Sequence, residues 1–117
     1  MLKTLPELIS EVSRSIRAVD AETAAAEARQ NDGVVIDVRE PPEVEAKPSP
    51  AALTVPRGML EVRLPELVPD ASRPIYLHCA SGGRARLAAE QLQRIGYENV
   101  AAITCDVDTV CEHLGDG

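Results

Sequence analysis

Aromatic residues are almost missing: the 117-residue chain has two tyrosines and neither tryptophan nor phenylalanine. Its core must therefore be built from Leu, Val, Ile and Ala. Basic residues are also scarce, with 12 Lys and Arg against 19 Asp and Glu, a formal net charge of -7 and a pI near 4.8. That balance excludes general nucleic-acid binding, which needs a basic surface. No apolar run approaches a membrane span, and the start MLKTLPELIS lacks the apolar core of a secretory signal. The expectation is a protein without a membrane segment. Cysteine is sparse too: three residues, an odd number without framework spacing, fit a reducing cytoplasm rather than a disulfide scaffold. No C-x2-C pair occurs, so a zinc site from Cys79, Cys105, Cys111, His78 and His113 matches no standard cluster.

What is present is ordinary for one soluble globular domain, with 44% hydrophobic and 26% charged residues. Leu5, Leu8, Ile9, Val12 and Ile16 fall at spacings of three and four. They predict an amphipathic packing or dimer helix over 5–17, with no chemistry assigned. Asp20 as N-cap and the stop NDG predict a second helix over 21–30. VVIDV, 34–38, is a buried strand. Five prolines in the twenty residues 39–58 predict mostly loop, with a short strand at 52–55. A short helix and a turn follow in 59–74, then a buried strand IYLH, 75–78. After a loop at 79–83, a helix is expected over 84–95, with Ala88, Leu92 and Ile95 on one face and Gly96 as its cap. VAAI, 100–103, is the last strand, and the tail reads as a short helix ended by glycine. Strands alternating with helices predict an α/β domain with a mainly parallel sheet. Sites in such sheets lie at the carboxyl ends of strands.

Cys79 stands at one of those ends. It opens the loop Cys79-Ala80-Ser81-Gly82-Gly83-Arg84, which leads into a helix. Residues 79–94 carry three arginines against one glutamate, while residues 106–117 carry a charge of -4. The loop is thus a locally positive spot on an acidic chain, suited to a small anion. Glycines let backbone N–H groups converge, and the helix start adds partial positive charge. A cysteine in such a cradle is stabilised as thiolate, which makes Cys79 the candidate nucleophile. Ala80, Ser81, Gly82, Gly83, Arg84 and Ala85 are the candidate binding loop. Cysteine phosphatases use C-x5-R around a tetrahedral phosphate. The C-x4-R spacing here makes a smaller cradle, suited to one sulfur carried on the cysteine.

These residues, with VVIDVRE at 34–40, VPRGMLEVRL at 55–64 and CASGGRARLAAEQLQRIGYENV at 79–100, resemble the single-domain rhodanese family of sulfurtransferases. The resemblance runs from about Val19 to about Gly115. It implies a three-layer αβα domain over 18–117, with residues 1–17 as a helical extension. It also implies a thiosulfate sulfurtransferase-type enzyme that passes sulfane sulfur through a Cys79 persulfide to cyanide or a thiol, without metal or organic cofactor. By position, Asp37 and Arg39 correspond to the family's structural pair near the loop and Arg84 to its loop arginine. The implied partners are thiosulfate or a persulfide donor and a protein sulfur acceptor.

Arg57, after a proline-fixed loop, is a further candidate for recruiting an anion. His78 is expected to point away from the site as a packing residue, and His113 to be a surface group. Cys105 is expected to be inert and Cys111 to be core, and Glu40, Glu43 and Glu45 read as surface charge. The chain departs from the family at KPSPAA, 47–52, where Gly-His-Ile-Pro-Gly-Ala is usual. It departs again at Cys105-Asp106, where Gly-Gly is usual, and at Val110, where tryptophan is usual. Those departures keep open a non-catalytic sulfur carrier or binding module. A phosphatase or arsenate reductase is disfavoured by the loop length.

Overall fold

The computed structural model describes residues 1–114. The glycine expected to end the last helix lies outside the described residues. The order is α1 (Leu5–Ser13), β1 (Arg17–Val19), α2 (Ala21–Asn31), β2 (Val34–Asp37), α3 (Pro41–Ala46) and β3 (Leu53–Thr54). A 3₁₀ turn, α4 (Leu60–Leu67), β4 (Ile75–His78), α5 (Gly83–Ile95), β5 (Val100–Ile103) and α6 (Val107–Leu114) follow. The five strands form one sheet in the order β1-β5-β4-β2-β3, and every pairing is parallel. The expected α/β architecture is therefore present.

Strand side chains divide by parity. Val34, Ile36, Val38, Ile75, Leu77 and Cys79 pack with α4 and α5 through Leu60, Leu64, Ala85, Ala88, Ala89 and Leu92. Val35, Tyr76, Ala101 and Ile103 pack on the other side with Ala21 and Ala24 of α2 and Val110 of α6. The near-absence of aromatic residues is met by short side chains: six alanines on α2 and α5 are at most 4% exposed and let those helices sit close to the sheet. Among the described residues no helix is long and apolar enough to cross a membrane.

Four expectations need correction. α1 ends at Ser13, and Arg17–Val19 form the edge strand β1 instead of a last helical turn. Ile16 fits the helical period but packs against the core from the turn after the helix. Residues 41–46 are helical despite Pro41 and Pro42. Proline is tolerated in a first helical turn, where no N–H partner is needed, and Glu40 and Glu43 cap the start reciprocally. The helix after the cysteine loop begins at Gly83, one residue before its expected start. Ile95 is 45% exposed and does not share the buried face of Ala88 and Leu92.

Candidate active site

β4 ends at His78, and Gly82 is the N-cap of α5. Between them the chain turns back over the end of the sheet, and this turn sets the position of Cys79. Its Sγ accepts hydrogen bonds from the backbone N–H groups of Gly82 at 3.1 Å and Ala85 at 3.4 Å. The sulfur therefore lies against the first turn of a 13-residue helix, where unpaired N–H groups and the dipole favour negative charge. Cys79 is 1% exposed. Its neighbour Ser81 is exposed, while Gly82 is buried.

Two glycines make this turn fit. Gly82 has φ +95°, and a Cβ there would stand 3.0 Å from the carbonyl oxygen of Thr104. A Cβ at Gly83 would meet Ile9 of α1 at 3.1 Å, so α1 flanks the loop. The start of α6 helps hold the loop, since Val107 N–H donates to the Ala80 carbonyl at 3.1 Å.

Arg84 is gripped by Glu43 of α3 through two hydrogen bonds of 2.5 and 2.8 Å. The Arg84 guanidinium holds the Glu43 carboxyl at about 2. In return Glu43 raises Arg84, with smaller contributions from Cys79 and Glu40. Glu43 is thus half-buried and engaged, which corrects its reading as plain surface charge.

Asp37 and Arg39 form a buried pair, 0% and 2% exposed. Arg39 Nε and Nη2 donate to the Asp37 carboxylate at 2.8 to 3.1 Å, and Arg39 Nη2 also reaches the Lys47 carbonyl at 2.7 Å. The pair thereby ties the end of β2 to the 47–52 segment. Burial pushes the Asp37 carboxyl up, but the hydrogen bonds from Arg39 outweigh it and the net shift is down. His78 lies opposite Asp37 in the β2–β4 register. Its Nε2 is 3.1 Å from Ser49 Oγ and 3.8 Å from Asp37 Oδ2. It packs on the face away from Cys79, as its strand parity predicts. Burial lowers its pKa more than Asp37 raises it.

The remaining candidates are dispersed. Arg57 pairs with Glu61 at 2.7 Å, while its backbone N–H donates to the Val38 carbonyl at the end of β2. Cys105 packs in the α2–α6 layer, opposite to Cys79, and its Sγ accepts the Ala21 N–H at 3.3 Å. Cys111 is half-buried beside the Pro48 carbonyl at 3.7 Å rather than in the core. His113 is likewise half-buried and lines a small cleft with Asp20, Cys105 and Thr109. Among the described residues no three His, Cys, Asp or Glu side chains cluster as a metal site. Sequence reasoning missed Glu43 and Ser49. The glutamate's only signal was its place in the E-x-x-E capping pattern at 40–43.

The family model for the rhodanese-like domain matches residues 20–111. A sulfurtransferase of Allochromatium vinosum is 29% identical over 86 residues, 73% of this chain and 78% of its own length. A Bacillus subtilis protein named "Putative sulfur carrier protein" is 35% identical over 66 residues, 56% of this chain but 35% of its own length. Among solved structures, a Rhodopseudomonas palustris protein of unknown function, "Possible Tyrosine Phosphatase", superposes with a TM-score of 0.81 at 26% identity. That match covers 96% of this chain and 92% of the other.

Proposed function

The chain belongs to the rhodanese-like domain family, and we propose that it is a sulfurtransferase in which Cys79 accepts and passes on a sulfane sulfur. The observation that carries this reading is the pair of N–H hydrogen bonds from Gly82 and Ala85 to the Cys79 sulfur at the start of α5. Sulfur similarly placed at a helix start is stabilised as an anion. In the first half-reaction the Cys79 thiolate attacks the outer sulfur of the donor. A new Sγ–S bond forms, the donor's S–S bond breaks, and its electron pair leaves with sulfite or a thiolate. In the second half-reaction a nucleophile such as cyanide or a thiol takes that sulfur and returns the Cys79 thiolate.

Ala80, Ser81, Gly82, Gly83, Arg84 and Ala85 form the cradle in this reading. Asp37 and Arg39 support it from β2, and Arg57 stands beside the same strand end. Residues 1–17 act as an extension of a domain over 18–117, with α1 braced on the loop. The likeness to a possible tyrosine phosphatase does not redirect the proposal, because four residues rather than five separate Cys79 from Arg84.

The test is intact mass after incubation with excess thiosulfate or, in parallel, cysteamine persulfide. Wild type gains about 32 mass units, one sulfur, and Cys79→Ala gains none. Folded wild type that gains no mass from either donor would overturn the proposal. The sulfur-carrier relative motivates a second reading, in which the domain loads once and does not turn over. A cyanide chase separates the two, since a carrier releases thiocyanate slowly or not at all.

A further inference from the structure

The charge around the loop is already spent. Glu43 takes both Arg84 Nη atoms at 2.5 and 2.8 Å, and its Oε1 also accepts the Glu40 N–H at 3.0 Å. The start of α3 therefore fixes this carboxylate in place. Glu40 adds a second negative charge close enough to act on Arg84. The other arginines at this end of the sheet are engaged as well, Arg39 by Asp37 and Arg57 by Glu61. Arg86 forms no ion pair among the described residues. It is two positions beyond Arg84 on the same helix, and side chains so spaced do not face each other. What remains for a donor is the set of backbone N–H groups, beside two carboxylates and one already paired guanidinium.

We propose that Glu43 is a specificity-determining residue. By holding Arg84 it withholds the cation that a dianionic donor such as thiosulfate needs, and it leaves a site suited to a thiol persulfide, R–S–SH. This inference rests on the reading of Cys79 as the sulfur acceptor. With such a donor the Cys79 thiolate bonds to the outer sulfur, the donor's S–S bond breaks, and R–S⁻ leaves with the electron pair. The products are Cys79–S–SH and a free thiolate, with no net oxidation and no second substrate. The site has only to orient the outer sulfur, because the donor brings no sulfonate charge to be matched.

Loading of Cys79, followed by intact mass at graded donor concentrations, tests this with thiosulfate and with cysteamine persulfide as probes. In Glu43→Gln, Arg84 is released, and half-saturation by thiosulfate falls about tenfold, while that by cysteamine persulfide changes less than about twofold. The gain disappears in the double variant Glu43→Gln/Arg84→Gln. An unchanged thiosulfate half-saturation in folded Glu43→Gln, or a gain that survives removal of Arg84, overturns the proposal. A second measurement needs no variant. In wild type, raising ionic strength from about 10 to about 150 mM improves thiosulfate loading, because salt screens a repulsive field. A loss of loading with salt would reveal an attracting cation and overturn the proposal. Wild type that loads from neither donor defeats the sulfurtransferase reading itself, whereas loading without these donor and salt effects defeats the Glu43 assignment alone.

Discussion

Replacing Gly82 with Ala strikes the backbone geometry of the site and its stability together. Gly82 has φ +95°, where a residue with a Cβ is strained by about 1–2 kcal/mol. The new methyl would also sit 3.0 Å from the Thr104 carbonyl oxygen, 3.1 Å from its Cα and 3.2 Å from its carbonyl carbon. That backbone cannot easily yield, because Thr104 N–H is bonded to the Val19 carbonyl at 2.9 Å and Val107 N–H to Ala80 at 3.1 Å. Crowding against fixed backbone adds about 1–2 kcal/mol, for a total of about 2–4 kcal/mol. For a domain of this length that is a fall in Tm of about 8–16 °C. Gly96 is the matched control. Its φ is +128°, and nothing lies within 4 Å of a Cβ there. Gly96→Ala therefore incurs the conformational strain alone, and it lies at the far end of α5. Thermal unfolding of both variants, with sulfur loading at a temperature where both are folded, completes the test. Gly82→Ala loses more stability than Gly96→Ala and loads sulfur more slowly, since its N–H is one of the two that reach Cys79 Sγ. Equal Tm losses would refute the Thr104 argument, and wild-type loading by folded Gly82→Ala would refute a role for the N–H bond.

Two further outcomes follow from the buried polar groups beside the loop. Asp37→Asn leaves the Arg39 guanidinium, 2% exposed, without its carboxylate. Breaking one side of a buried pair costs about 3–5 kcal/mol, read as a lower urea midpoint, and a loss below about 1 kcal/mol would show that the pair contributes little. His78 has a folded-state pKa below its ordinary 6.5, because burial outweighs the pull of Asp37. The unfolded chain therefore takes up a proton that the folded chain refuses. The stability from keeping His78 neutral is present above about pH 6.5 and is lost as pH falls toward the folded value. Urea unfolding between about pH 7 and pH 5 gives a declining stability in wild type and a flatter profile in His78→Gln. Identical profiles would sink that assignment.

The sheet and the turn at Cys79 were legible in the sequence because their signals are local. β2, β4 and β5 are short apolar runs buried on both faces, and Gly82 and Gly96 mark turns that require positive φ. The missed elements depend on partners far along the chain. β1 has only three residues, and it becomes a strand by pairing with Ala101, Ala102 and Ile103. α3 was hidden by its prolines, whose ring is harmless at the first helical turn. Glu43 looked like one charge in a run of three, because its partner Arg84 is 41 positions away. Arg84 was expected as the loop arginine and lies in the first turn of α5, and sequence spacing carried no sign that its charge was already matched.

The departures at 47–52 are best understood from the needs of Asp37. A carboxylate that is 0% exposed must be surrounded by donors. Arg39 supplies its backbone N–H, Nε and Nη2. Ser49 supplies a hydroxyl at 3.2 Å, from within the altered segment itself. His78 of β4 places an imidazole 3.8 Å from the same carboxylate. The same Ser49 oxygen touches both Asp37 and His78, so one small side chain joins the strand that carries the pair to the strand that leads into Cys79. At the other altered positions Cys105 accepts the Ala21 N–H, and Val110 is fully buried in the α2–α6 layer. The residues at the altered positions thus supply donors and packing around the site, and the Cys79 sulfur has its two backbone N–H bonds. Loss of the usual residues at 47–52 is therefore no argument against sulfur chemistry at Cys79, because the buried carboxylate they adjoin still has its donors.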